Sequence, residues 1–162
     1  MSKDNRDFFV QKKIWSVVKD ELLRCYLVPY FNKIFFTRKP LLYVDCFAGK
    51  GKFDDGNDGS PLVALKCLDT SFQQSTDAKT GVMMPQVMVK LIELNHAEAL
   101  KMNIPVEHRR RTEVIGDAFE KVIINELNRA LRTYGDLNVF LYVDPYGIKA
   151  LNMGLFLPKE LC

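Results

Sequence analysis

One stretch constrains the fold more than any other. Leu41-Leu42-Tyr43-Val44-Asp45-Cys46-Phe47-Ala48-Gly49-Lys50-Gly51-Lys52-Phe53 is a short apolar run that ends on a carboxylate and opens into a loop with two closely spaced glycines. Glycine has no Cβ, so at Gly49 and Gly51 the chain can turn at positive φ and approach a flat or anionic ligand. Asp45 falls at the carboxyl end of the strand, where open α/β sheets collect their ligands. Gly59-Ser60-Pro61 then precedes Leu62-Val63-Ala64-Leu65, which reads as a Ser N-cap, Pro at the first helical position and a helix over about 60–68. Strand, glycine loop and helix start together read as the opening of a nucleotide-type site.

The loop departs from the better-known signatures. A P-loop needs a glycine five residues before its Gly-Lys and a hydroxyl residue after it, and neither Gly49-Lys50 nor Gly51-Lys52 has these. The third small position of a dinucleotide fingerprint is Asp54. An EF-hand loop begun at Asp54 would carry Gly56 at position three and Leu65 where its bidentate Glu belongs, so Asp54, Asp55, Asn57 and Asp58 read as a solvated turn.

At 162 residues the chain is one domain's worth, and 48% hydrophobic with 27% charged residues is ordinary for a soluble globular protein. No run approaches the roughly 18 apolar residues of a membrane span, and the polar start lacks the apolar core of a signal peptide, so the expected location is the cytoplasm, with no membrane partner. Cys25, Cys46, Cys67 and Cys162 are too widely spaced for a metal or redox pair. Cys46 sits in the glycine block and reads either as a site-lining thiol or as a small buried hydrophobe. His108-Arg109-Arg110-Arg111 is a local basic run, suited to a phosphate backbone or to a solvated connection. A net charge of +3 does not decide between them.

Ile14, Val18, Leu22 and Tyr26 recur every four residues with Trp15, Leu23 and Leu27 beside them, which predicts an amphipathic helix ended or kinked at Pro29 and followed by a short helix over 30–36. Residues 1–39 form an N-terminal helical cover in this reading, and 40–162 one compact Rossmann-like unit. Polar residues 69–81 read as a loop. Further strands are expected at 86–92, 112–115 and 137–143, with helices from His96 and from Ala118, the latter carrying Phe119, Val122, Ile123, Leu127 and Leu131 on its apolar face. Strands alternating with helices predict a mostly parallel sheet in an α/β sandwich.

Each strand ends near an acid: Asp45, Glu93, Asp117 and Asp144. In a parallel sheet these ends share one edge, so four carboxylates and a glycine loop would converge on one crevice. Glu93 can accept two hydrogen bonds from a ribose diol. Asp117 reads equally as a helix cap, and Asp144-Pro145-Tyr146-Gly147 also reads as a plain turn.

In this order of motifs the chain resembles the class I S-adenosylmethionine-dependent methyltransferases, which are Rossmann-like three-layer sandwiches. It is more closely similar to a bacterial family, the three-Cys-motif partner proteins (TcmP), in Tyr43-Val44-Asp45-Cys46-Phe47-Ala48-Gly49-Lys50-Gly51, in Gly59-Ser60-Pro61-Leu62 and in Asp144-Pro145-Tyr146-Gly147, over most of residues 10–150. That family occurs beside a gene whose product carries a three-cysteine motif, which implies such a protein as a partner. The resemblance implies S-adenosylmethionine with its methionine end on the Gly49–Gly51 loop near Asp45 and Phe47, its ribose on Glu93 and its adenine beside Asp117 and Ala118. Asp144, Pro145 and Tyr146 would face the methyl group.

In amino-methylating relatives an (Asp/Asn)-Pro-Pro-(Tyr/Phe) motif holds the target nitrogen. The second proline is missing here, yet Asp144 remains an acceptor and Tyr146 a stacking ring. The resulting expectation is methylation of a nitrogen on nucleic acid, with Arg109–Arg111 meeting phosphate. Cytosine C5 chemistry is disfavoured because no Pro-Cys pair occurs. A hydrolase is disfavoured by the presence of only His96 and His108 and no G-x-S-x-G. The competing expectation is a non-catalytic partner module. A full fold of this type carries seven strands and four can be counted, so the C-terminal strands would be lacking and the fourth strand left as an edge prone to self-association.

Overall fold

The computed structural model of the chain describes residues 9–75 and 84–145. Helix α1 (Ile14–Phe35) leads into β1 (Leu41–Asp45), followed by α2 (Ser60–Ser75), β2 (Val87–Ile92), α3 (Ala97–Asn103), β3 (Thr112–Ile115), α4 (Phe119–Tyr134) and β4 (Asn138–Tyr142). The four strands form one sheet in the order β3-β2-β1-β4, and all three pairings are parallel. The protein is therefore a Rossmann-like α/β sandwich with an N-terminal helix. Asp45 pairs in register with Leu91 and with Tyr142, so β1, β2 and β4 end flush on one edge.

Period-two alternation distributes the strand side chains to two cores. Leu41, Tyr43, Val87, Val89 and Leu91 face α1, α2 and α3 in one cluster; Leu42, Val44 and Ile92 face Phe119, Ile123 and Ala130 of α4 in the other. All five residues of β1 are buried, as expected of a central parallel strand covered on both faces.

Helix α1 differs from the sequence-based expectation in two ways. It continues through Pro29 without a break, because Leu27, Phe31 and Phe35 on either side are buried against β1 and α2. Burying three such side chains contributes roughly 1.5–3 kcal/mol each, more together than the ~3 kcal/mol cost of an interior proline. Its buried row is Leu23, Leu27, Phe31 and Phe35, whereas Ile14, Val18, Leu22 and Tyr26 are exposed. Helix α2 likewise runs past Leu68 to Ser75: Ser71 is buried and donates its hydroxyl to the Val28 carbonyl (3.3 Å), and Phe72 stacks on Phe35 (5.1 Å between centroids). The remainder of the polar segment, 76–83, lies outside the described residues. On α4, Phe119 and Ile123 are buried as expected, but Leu131 is half exposed and Ala130 takes the inward position.

Among the described residues no helix is long and apolar enough to cross a membrane.

Candidate functional site

The chain leaves one side of β1 for β2 and β3 and the other for β4, so the crevice at the carboxyl ends of β1 and β4 is the topological switch point, where open α/β sheets bind ligands. A cleft of about 520 Å³ opens there. Small-molecule sites span roughly 300–1,000 Å³. Glu93, Asp117, Ala118, Asp144 and Pro145 line it, as do Phe47, Gly49 and Gly51 of the glycine loop. Three of the four strand-end acids thus meet as expected. Asp45 lies beneath the cleft rather than in it, and Tyr146 and Gly147 lie outside the described residues.

Asp45 organises the loop from below. It is fully buried, accepts the Phe47 N–H (3.2 Å) on one oxygen and the Ser60 hydroxyl (2.7 Å) on the other. Burial pushes its carboxyl up to about 7, helped by the nearby Asp144 and Glu93 charges and opposed by the two hydrogen bonds. Ser60 therefore serves Asp45 rather than capping α2. The cap position falls to Gly59, whose carbonyl accepts the first helical bond from Val63 N–H (3.1 Å).

Glu93 ties the loop from above. Its Oε2 accepts the Gly49 N–H (2.9 Å), and its Oε1 accepts those of Asn95 (2.8 Å) and His96 (3.0 Å). With about two acceptor sites per oxygen, one remains open on Oε2.

Both glycines adopt positive φ, +61° at Gly49 and +76° at Gly51. Their missing Cβ atoms make room for the chain itself. A Cβ on Gly49 would stand 3.2 Å from the Phe9 ring, and one on Gly51 only 2.7 Å from Leu100 Cδ1 of α3. The close approach expected for a ligand is made here by Phe9 and Leu100.

Asp117 accepts the Ala118 N–H (2.7 Å), a bond that holds its carboxyl below the usual range, and lies 3.5 Å from Lys121 Nζ. The cap of α4 is Ala118, with no side-chain cap bond, so Asp117 is left facing the cleft. Asp144 forms an ion pair with Lys19 of α1 and accepts the Tyr142 hydroxyl (3.4 Å) on the same oxygen. Burial, first, and then the Asp144 charge push the Tyr142 phenol up. Cys46 is buried at the cleft wall, where burial and the neighbouring Asp45 push its thiol up, so it stays protonated as a small hydrophobe.

One wall was not legible in the sequence: Phe9, Trp15, Ser16, Lys19 and Asp20 come from the N-terminal segment. Its anchor is the acidic turn. Asp54 N–H donates to the Phe9 carbonyl (2.8 Å) and Lys12 N–H to Asp55 Oδ2 (2.9 Å). The Lys12 ammonium donates to the Asp58 carbonyl (2.7 Å) and pairs with Asp20, whose carboxyl is pushed up by burial against the pull of Lys12. The backbone of Asp54 and Asp58 and the side chain of Asp55 thus clamp the segment that walls the cleft. Among the described residues no group of three or more His, Cys, Asp or Glu side chains is placed to hold a metal.

The basic run lies at the edge of the sheet opposite the cleft. Arg109–Arg111 precede β3, at the amino edge of the sheet, a strand length of roughly 13–17 Å from the cleft edge. His108 is buried with Nε2 3.0 Å from Asp69, Arg109 Nε donates to the Ile104 carbonyl (3.3 Å) and Arg111 stacks over Phe72 (4.8 Å). In this position His108 and Arg111 contact α2, and Arg109 ties the end of α3.

Fold and cleft together define a Rossmann-like α/β protein with a small-molecule-sized crevice at its switch point. No protein-family model and no curated protein matches the chain.

Proposed function

We propose that the chain binds S-adenosylmethionine in this cleft and methylates a nitrogen of a nucleic-acid base, as a member of the three-Cys-motif partner proteins. The carrying observation is the convergence of Glu93, Asp117 and Asp144 with the glycine loop on one crevice of about 520 Å³.

The residues fit such a cofactor, with one adjustment. Asp117 offers its second oxygen to an exocyclic amine, Leu94 exposes apolar surface to the cleft, and Glu93 has one acceptor site open for a ribose hydroxyl. Binding a diol in bidentate fashion requires Glu93 to release one of the three backbone N–H groups it holds. When bound, the cofactor supplies an electrophilic methyl that passes to a nitrogen lone pair while the sulfonium leaves as a thioether. The chain's part is to orient the acceptor: Asp144 takes a hydrogen bond from the amine and receives or passes on the proton lost, and Lys19 and Tyr142 hold its carboxylate in place. Lys52, exposed at the cleft, replaces the distant arginines as the nearby cation for phosphate.

Transfer of label from the methyl-labelled cofactor to nucleic acid, lost in Asp144→Ala, is the expected outcome; incorporation that survives this substitution removes Asp144 from the mechanism.

A second reading has its own observation. Among the described residues β4 pairs only with β1, and its Val139 and Leu141 are 39% and 37% exposed. This supports a non-catalytic module that self-associates, or docks a partner such as a three-Cys-motif protein, along that edge. A concentration-independent monomer in sedimentation velocity would contradict the self-association.

A further inference from the structure

Trp15 is the only tryptophan of the chain, and it is 62% exposed while lining the cleft. A large aromatic ring left this open in a crevice forgoes the burial that normally accounts for tryptophan. Its place along α1 is informative. Lys19 lies four residues on, on the same face of the helix and about 6 Å further along its axis, and Lys19 is the residue that pairs with Asp144. The indole therefore stands one helical turn from the group that fixes the proposed nitrogen-orienting carboxylate, a separation comparable to the width of a heteroaromatic ring. Lys12, paired with Asp20 and bonded to Asp58, anchors the segment just before that turn.

We infer that Trp15 is the stacking platform for the methyl-accepting base, so that the base is taken out of the helical stack, as single-stranded nucleic acid presents it without the cost of flipping. This rests on the reading of the cleft given above and narrows its substrate class. A base inside a duplex has both faces covered by its neighbours; one that lies on an indole must be out of the stack. Base–aromatic stacking tolerates any base, since every base has a π-face, and commonly accounts for a tenfold or larger part of single-strand affinity. The ring also adjoins Ile14 and Val18, exposed apolar side chains of the same helix, so burial of the indole against another protein is the outcome the test must separate.

Because the chain has one tryptophan, its fluorescence reports this position alone. The full chain is titrated with a short single-stranded oligodeoxynucleotide of mixed sequence, with the same sequence as a blunt duplex, and with an abasic oligomer of equal length. Saturable quenching by the single strand is expected, with affinity at least about tenfold lower for the duplex and the abasic oligomer. Single-strand affinity measured by calorimetry should fall roughly tenfold or more in Trp15→Ala and recover in Trp15→Phe. Absence of quenching at millimolar strand, equal quenching by the abasic oligomer, or unchanged affinity in Trp15→Ala overturns the assignment. So does a blue shift that grows with protein concentration alone. Calorimetry with S-adenosylmethionine on the same samples keeps the two claims apart: cofactor heat without quenching defeats the stacking role only, and quenching without cofactor heat defeats the cofactor reading only.

Discussion

The two halves of the cleft are built to different standards. At the glycine loop every element is tied down: Asp45 holds Phe47 and Ser60 from below, Glu93 holds Gly49, Asn95 and His96 from above, and Gly51 is pressed against Leu100. At the Asp144 end the carboxylate follows β4, which among the described residues pairs only with β1, and is held by a half-exposed Lys19 and a long bond from Tyr142. A group recognised identically in every turnover gains from a site organised in advance, because less ordering is left to offset binding. An acceptor that must enter and leave is better met by an end that can adjust. On the reading proposed above, the first half suits the cofactor and the second the substrate.

The comparison breaks first at Gly51. Gly51→Ala places a Cβ 2.7 Å from Leu100 Cδ1 at a φ of +76°, and combines left-handed strain with overpacking for an expected loss of roughly 2–4 kcal/mol in denaturant unfolding. Gly56→Ala, at φ +85° with nothing within 4 Å, should cost only the ~1–2 kcal/mol of strain. Equal losses at both would mean that the loop is not packed on α3.

The same truncation on two acids sharpens the contrast. Glu93→Ala strips an acceptor from three backbone N–H groups, of which two are partly buried, at about 2 kcal/mol; Asp144→Ala frees a solvated lysine and should stay within ~0.5 kcal/mol. Thermal unfolding of the two variants side by side distinguishes them.

Asp45 gives the tied half a pH signature. Its carboxyl is raised to about 7 from 3.8, so the folded state holds its proton more tightly than the unfolded state. Its contribution to stability is complete below 3.8 and is lost as pH rises through 7. Asp45→Asn keeps an acceptor oxygen and cannot ionise, so between pH 4 and 7 its melting temperature should be flatter than that of the wild type. Parallel curves would show that Asp45 titrates normally. The smallest effect is expected on β4, which among the described residues pairs only with β1: Leu141→Lys should leave stability within ~0.5 kcal/mol while suppressing any self-association through that strand.

The tied half was also the legible one. Asp45, the two glycines and Glu93 stand beside strands short and apolar enough to read directly. Helix α1 was ambiguous because it carries two rows of period four, and nothing local distinguishes Ile14-Val18-Leu22-Tyr26 from Leu23-Leu27-Phe31-Phe35; only packing on β1 selects the second. The place of the arginines was readable too, since residues that precede a parallel strand sit at its amino edge. The wall formed by Phe9, Trp15 and Lys19 depends on contacts over 40 residues away, such as Lys12 with Asp55 and Asp58, which no periodicity announces.

The most direct test is calorimetric titration of the folded chain with S-adenosylmethionine and S-adenosylhomocysteine, repeated on Glu93→Gln and Asp117→Ala, with a melting curve for each variant. The account predicts micromolar binding to the wild type, weakened about tenfold or more in both variants while they remain folded. Absence of binding to the folded wild type, or affinity indifferent to both substitutions, would contradict the assignment of this cleft.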